Sequence, residues 1–150
     1  MDIFERQGKV RAIYHISLGV SDIERSRSFY GAVLQPLGYR LLYEVKEPTG
    51  ITSLGWGLHF PELWTNLPLG RAAPRPGVGV HVAFHAPSAG SVDDFYRAAL
   101  SAGGADNGPP GYRADYDPGY YAAFVTDPDG NHLEAMWFDH RKSSEGSRRD

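Results

Sequence analysis

The chain has 150 residues, 41% of them hydrophobic and 22% charged, with a formal net charge of −3. That length fits a single globular domain, and the ordinary apolar-to-charged balance excludes a disordered chain. No apolar run reaches the roughly 18 residues of a membrane span, the opening MDIFERQGKV lacks the apolar core of a secretory signal, and scattered basic residues argue against a nucleic-acid surface. Cysteine is absent, which removes thiolate metal ligands and a thiol nucleophile together. The expectation is a cytoplasmic protein whose partner is a small molecule rather than nucleic acid or membrane.

In chain order, residues 1–9 read as an N-terminal extension. Residues 10–20, VRAIYHISLGV, are β-branched and apolar enough for a strand. Ser21-Asp22-Ile23-Glu24 has capping-box spacing, with Ser21 predicted as N-cap. Ile23, Ser26, Phe29, Tyr30, Val33, Leu34 and Leu37 then recur at helical spacing until Pro36 and Gly38 end the helix. Strands follow at 39–46 and over 51–66, interrupted by Pro48-Thr49-Gly50 and Pro61. The stretch 68–79, PLGRAAPRPGVG, reads as a linker, with 68–77 as its body. A second strand, VGVHVAFHA, leads to a predicted helix over 91–102, closed by Gly103-Gly104. Pro109-Pro110-Gly111 is expected to form a loop before a strand near Tyr112 to Tyr116. A hairpin from Tyr120 to Phe138 turns at Asp127-Pro128-Asp129-Gly130, whose residue types suit a type I turn. Residues 140–150 read as a flexible tail.

The halves repeat. His15 lies over His81 at an offset of 66, and without a gap Ile16-Ser17-Leu18 then covers Val82-Ala83-Phe84. Phe29-Tyr30 covers Phe95-Tyr96, Leu34 covers Leu100, and Gly38 covers Gly104. The order β-α-β-β-β therefore occurs twice within one α+β domain over 10–139, with module 1 at about 10–67 and module 2 at about 78–139.

Strand alternation puts His15 and Ser17 on one face of the first strand, His81, Ala83 and His85 on one face of its counterpart, and His132, Glu134 and Met136 on one face of the last. If the halves pack as symmetric copies, His15, His81 and Glu134 converge. Two imidazoles and a carboxylate on one side of a metal leave positions open for substrate, a catalytic rather than a closed structural arrangement. That donor set accepts Fe, Zn, Ni, Mn or Co.

Through YHISLGVSDIERSRSFY, GVHVAFHAPS and YYAAFVTDPDGNHLEAMWF, the chain resembles the vicinal oxygen chelate superfamily. That superfamily includes glyoxalase I, extradiol dioxygenases, methylmalonyl-CoA epimerase, fosfomycin-resistance enzymes and metal-free bleomycin-binding proteins. The resemblance implies two pseudo-symmetric βαβββ modules forming an open, cupped mixed sheet with helices outside, and a homodimer. It also implies a divalent metal held by His15, His81 and Glu134, with Glu134 doubling as a proton-moving group. Glyoxalase I typically adds a fourth ligand from the last strand of its first module. Glu62 is the only acid in the matching stretch, it follows Pro61, and its ligation is left open. Two functions remain: a metal-dependent enzyme (glyoxalase-like lyase or isomerase, or ring-cleaving dioxygenase), and a metal-free protein that binds or sequesters a small molecule.

Around this centre, His85 and Tyr116 are candidates for acid–base work. Arg113, Tyr120, Tyr121 and His59 are candidates for lining the substrate cleft. Arg113 has two readings: it binds a substrate carboxylate, or it pairs at the surface with Asp115 or Asp117.

Overall fold

The structure, a computed structural model, describes residues 13–143; the expected N-terminal extension and all but the start of the tail lie outside them. Asp22, not Ser21, caps the first helix, its carboxylate accepting from the Arg25 amide (2.9 Å). That frees Ser21 for a tertiary role described below. Helix α1 (Ile23–Leu34) buries Phe29, Tyr30, Val33 and Leu34, and a short 3-10 turn over Gln35–Leu37 continues it. It stops at Gly38, whose φ of 84° is open to glycine at little cost.

Strands β1 (Ile16–Gly19), β2 (Arg40–Glu47), β3 (Gly50–Gly57) and β4 (Leu63–Asn66) form the first sheet, in the order β1-β4-β3-β2. Strand β5 (Val82–His85), helix α2 (Ala89–Ser101) and strands β6 (Ala105–Tyr112), β7 (Tyr120–Thr126) and β8 (His132–Phe138) repeat the plan as β5-β8-β7-β6. In each sheet the first and last strands pair in parallel and the remaining pairs are antiparallel. The fold is α+β, two βαβββ units with mixed sheets.

One expectation fails locally. Pro109-Pro110-Gly111 is not a loop but part of β6, and the chain leaves the strand at Tyr112 instead of entering one there. β6 is a sheet edge, where a proline costs no ladder bond on its open side. The register shifts between Gly108 and Gly111 absorb the irregularity. Residues 113–119 form turns, with the Tyr116 amide donating to Arg113 O (2.9 Å) and the Tyr120 amide to Asp117 O (3.0 Å).

Both units share one apolar core, in which Phe29, Tyr30, Leu34, Trp56 and Leu63 join Phe84, Val92, Phe95, Val125 and Leu133. Each large side chain so buried contributes about 1.5–3 kcal/mol. The polar turn Asp127–Asn131 fastens the units together. Asn131 Nδ2 donates to Gly19 O (2.9 Å), Tyr30 OH to Asp127 (2.7 Å), and Ser21 Oγ to Asp129 (2.6 Å), which also receives Arg25 (3.0 Å).

Strands β1 and β5, the edges of their sheets, border shared clefts in opposite residue order. Ser17, Leu18 and Gly19 share a cleft with Val80, His81 and Val82, whereas Ile16 shares one with Val82, Ala83 and Phe84. Among the described residues no helix is long and apolar enough to cross a membrane.

Candidate metal and substrate site

Parallel pairing of β5 with β8 sets Ala83 against Glu134. His81 stands two positions before Ala83 and so shares its face. The outcome is a close pair, His81 Nε2 lying 3.0 Å from Glu134 Oε2. Glu134 is only 2% exposed, and a carboxylate so buried requires partners. Its other oxygen, Oε1, accepts from Tyr120 OH at 2.6 Å. Burial, followed by the bond to Glu134, drives the Tyr120 phenol far above its usual range, so it remains a donor. Tyr116, 68% exposed, sets its ring edge-on to Tyr120 at 5.4 Å.

An imidazole and a carboxylate are donors that a first-row divalent ion accepts. Cis ligands at about 2.1 Å around an octahedral first-row ion stand about 3 Å apart, the spacing of His81 Nε2 and Glu134 Oε2. Tyr120 occupies Oε1 and leaves Oε2 directed at the imidazole. The exposed half of His81 leaves room for further ligands.

Within one chain His15 does not join them. The opposite residue order of the two edges puts the residue preceding β1 and the residue preceding β5 at opposite ends of the shared boundary. Among the described residues no three His, Asp or Glu side chains gather around one point. His15 faces Trp64 instead, ring centroids 6.5 Å apart, and Trp64 meets Tyr43 at 6.0 Å.

Trp64 is the residue that reading the sequence missed. Ser17 pairs with Trp64 as Ala83 pairs with Glu134, so an indole stands in the first sheet where the second holds its carboxylate. Trp64 and Glu134 are 70 positions apart (134 − 64), whereas the repeat is in step at 66. The modules therefore slip by four residues between their helices and last strands, and only strand pairing reveals the match. Glu62 falls short of this place. It lines the inter-module cleft with Tyr39 and Phe84, and its backbone oxygen accepts from the Ile16 amide (2.9 Å).

The other candidates divide by face. Phe124 pairs directly with Glu134 and meets the His81 ring at 6.2 Å; Arg113 lies over Phe124 at 5.5 Å. Arg113, Phe124, His81, Glu134, Tyr120 and Tyr116 thus form one assembly. Tyr121, next to Tyr120, points the other way and bonds Asp93 of α2 (2.7 Å), with its phenol pushed up to about 12 by burial and then by that bond. It belongs to the helix side, not the trough. His85 ends β5 opposite Met136, on the face of Glu134. His59 lies in the turn after β3, off the strands. His132 Nδ1 contacts Asn107 Nδ2 (3.1 Å).

Comparisons with known proteins agree with this architecture. The family described as Glyoxalase/Bleomycin resistance protein/Dioxygenase superfamily matches residues 12–135. The chain is 34% identical over 134 residues to the uncharacterized protein YqjT of Bacillus subtilis (strain 168), a match covering 83% of this chain and 97% of that protein. A glyoxalase/bleomycin resistance protein from Albidiferax ferrireducens T118 superposes with a TM-score of 0.71 at 28% identity, covering 86% of this chain and all of that one (100%). The genomically encoded fosfomycin resistance protein FosX from Listeria monocytogenes shares the fold, with a TM-score of 0.62 at 15% identity over 89% of this chain and 98% of its own.

Proposed function

The chain belongs to the Glyoxalase/Bleomycin resistance protein/Dioxygenase superfamily, and on that premise we propose that it is a metal-dependent enzyme acting on a small molecule with two neighbouring oxygens. Its ion would be held by His81 and Glu134 of one copy and by His15 of a second copy in a homodimer. The observation that carries this reading is the His81–Glu134 pair at 3.0 Å, braced by Tyr120 at 2.6 Å, with His15 set apart from it against Trp64. A two-fold dimer exchanges such halves reciprocally, so each chain's His15 would serve its neighbour's carboxylate.

A divalent first-row ion bound there supplies Lewis acidity toward the two substrate oxygens and stabilises negative charge developing on them. The protein's own residues do the rest. Tyr120 keeps Glu134 oriented, Phe124 walls the His81 ring, and exposed Tyr116 stands where it can exchange a proton with substrate at the rim. Trp64 in the place of a fourth carboxylate favours a three-ligand centre, nearer the dioxygenase and fosfomycin-type members than glyoxalase I.

The second reading, a metal-free protein that binds or sequesters a small molecule, draws support from a different observation. Within one chain His81 and Glu134 satisfy each other, and the first sheet presents aromatic rings instead of a carboxylate. Elemental analysis of untagged protein separates the two. The enzyme reading expects about one ion per chain, lost in His15→Ala, His81→Ala and Glu134→Ala alike. Mixing refolded His15→Ala with Glu134→Ala should restore up to about a quarter of the metal, because each hybrid dimer regains one intact site. Equal metal content in all variants overturns the assignment, and failure of the mixture to recover metal overturns the shared site.

A further inference from the structure

We infer that Arg113 is an oxyanion-binding residue, so that the substrate of this site carries a carboxylate or phosphoryl group at the end remote from its metal-facing oxygens. The inference deepens the function proposed above and rests on His81 and Glu134 marking the reacting end.

The sequence GPPGYR builds the position. Across the second sheet Gly108, Phe124 and Glu134 are consecutive partners in one row on one face. Gly108 has no side chain to occupy its place, and the Arg113 guanidinium lies there instead. A Cβ on Gly108 would come within 3.1 Å of the Phe124 ring and 3.5 Å of Arg113 Nη2; one on Gly111 would come within 3.2 Å of Nη1. Gly108 also has a φ of 143°, which L side chains rarely adopt. The two glycines thus open a slot, the Arg113 amide is tied to Tyr120 O (2.7 Å), and Nη2 donates to Pro109 O (2.6 Å).

What the slot holds is a cation without a counter-charge among the described residues. None of the ion pairs among the described residues includes Arg113. Pairing with Asp117, one of the readings from sequence, is not seen: its oxygens accept from the Gly119 amide (2.7 Å) and Ser143 Oγ (3.3 Å). A half-buried guanidinium fixed by one carbonyl and one ring face keeps donors free for a planar bidentate anion. Its distance suits a small molecule: two strand spacings, about 10 Å, separate the Gly108 place from Glu134. A neutral substrate would leave this charge uncompensated beside the metal, whereas an organic anion neutralises it.

The test follows the Arg113 side-chain Nε–H resonance of the full-length protein, assigned with Arg113→Lys, during titration with benzoate, phenylphosphonate or neutral benzamide. Each titration is run on metal-stripped protein, on metal-loaded protein and on Glu134→Ala. Saturable shifts with either anion but not with benzamide are expected, and the stronger of the two identifies carboxylate or phosphoryl recognition. Arg113→Gln, followed by tyrosine and tryptophan fluorescence, should weaken that binding at least about tenfold. Arg113→Lys should fall between, and both variants should keep the native fold and metal content. Persistence of anion binding in Glu134→Ala supports the inference even if no metal is ever found, which would sink only the enzyme reading. No saturable shift with either anion, an equal response to benzamide, or unchanged affinity in Arg113→Gln overturns it.

Discussion

Glu134 divides its two oxygens between different partners, and the geometry of the candidate site depends on that division. Oε1 is held by Tyr120 and Oε2 faces His81. Removing the phenol hydroxyl leaves a carboxylate oxygen buried without a donor, which costs about 1–3 kcal/mol. Tyr120→Phe should therefore lower the unfolding free energy obtained from urea denaturation by that amount, while Tyr116→Phe, lacking any such bond, should leave stability unchanged. The adjacent Tyr121 offers a pH signature from the opposite face. Its phenol ionises near 12 in the folded chain against 10.0 when free. The unfolded chain loses this proton first, so the contribution of Tyr121 is intact below pH 10 and declines as pH rises toward 12. Denaturation curves across that window should fall more steeply for the native chain than for Tyr121→Phe. Single-residue chemistry was readable from strand alternation wherever the strand was regular: His81, Glu134 and Tyr120 share a face as alternation requires. Tyr121 cannot share it, since adjacent strand residues point to opposite faces.

At the scale of elements, the Asp127–Asn131 turn does more than reverse the chain. The residue types at 127–130 announce a type I turn, and the Gly130 amide does bond Asp127 O (3.0 Å). Sequence carries no sign that the same carboxylate receives Tyr30 from the other module, or that Asn131 reaches Gly19. Asp127→Ala strands the buried Tyr30 hydroxyl and releases the Asp129 amide and both the backbone amide and the side-chain Nδ2 of Asn131. At about 1 kcal/mol for each lost bond the penalty is about 4 kcal/mol. Chemical denaturation should show a lower midpoint with an unchanged slope, since the folded surface is the same. The repeat was equally readable in part. Its offset of 66 predicts the bounds of β5 from β1 and the start of α2 from α1. It fails by four residues at the last strands, because insertions between strands are invisible to an ungapped comparison, and with them went the correspondence of Trp64 and Glu134. The Pro109-Pro110-Gly111 segment was misread for a related reason. Proline argues against a central strand, but whether a strand is an edge is decided by its neighbours.

At the scale of the molecule, the sequence by itself determined the α+β class, the doubled βαβββ order and the apolar faces that make one core. It could do so because periodicity and turn chemistry are local properties, written in residues a few positions apart. Only the tertiary structure decided which donors meet. Strands β1 and β5 border their shared clefts in opposite residue order, so His15 and His81 stand at opposite ends although they are equivalent in the repeat. It also decided that an indole faces the first trough, and that a guanidinium fills a gap left by glycine. Those outcomes depend on how two sheets are set against each other and on which strand is the edge, and no spacing along a single chain encodes the distance between side chains brought together by packing.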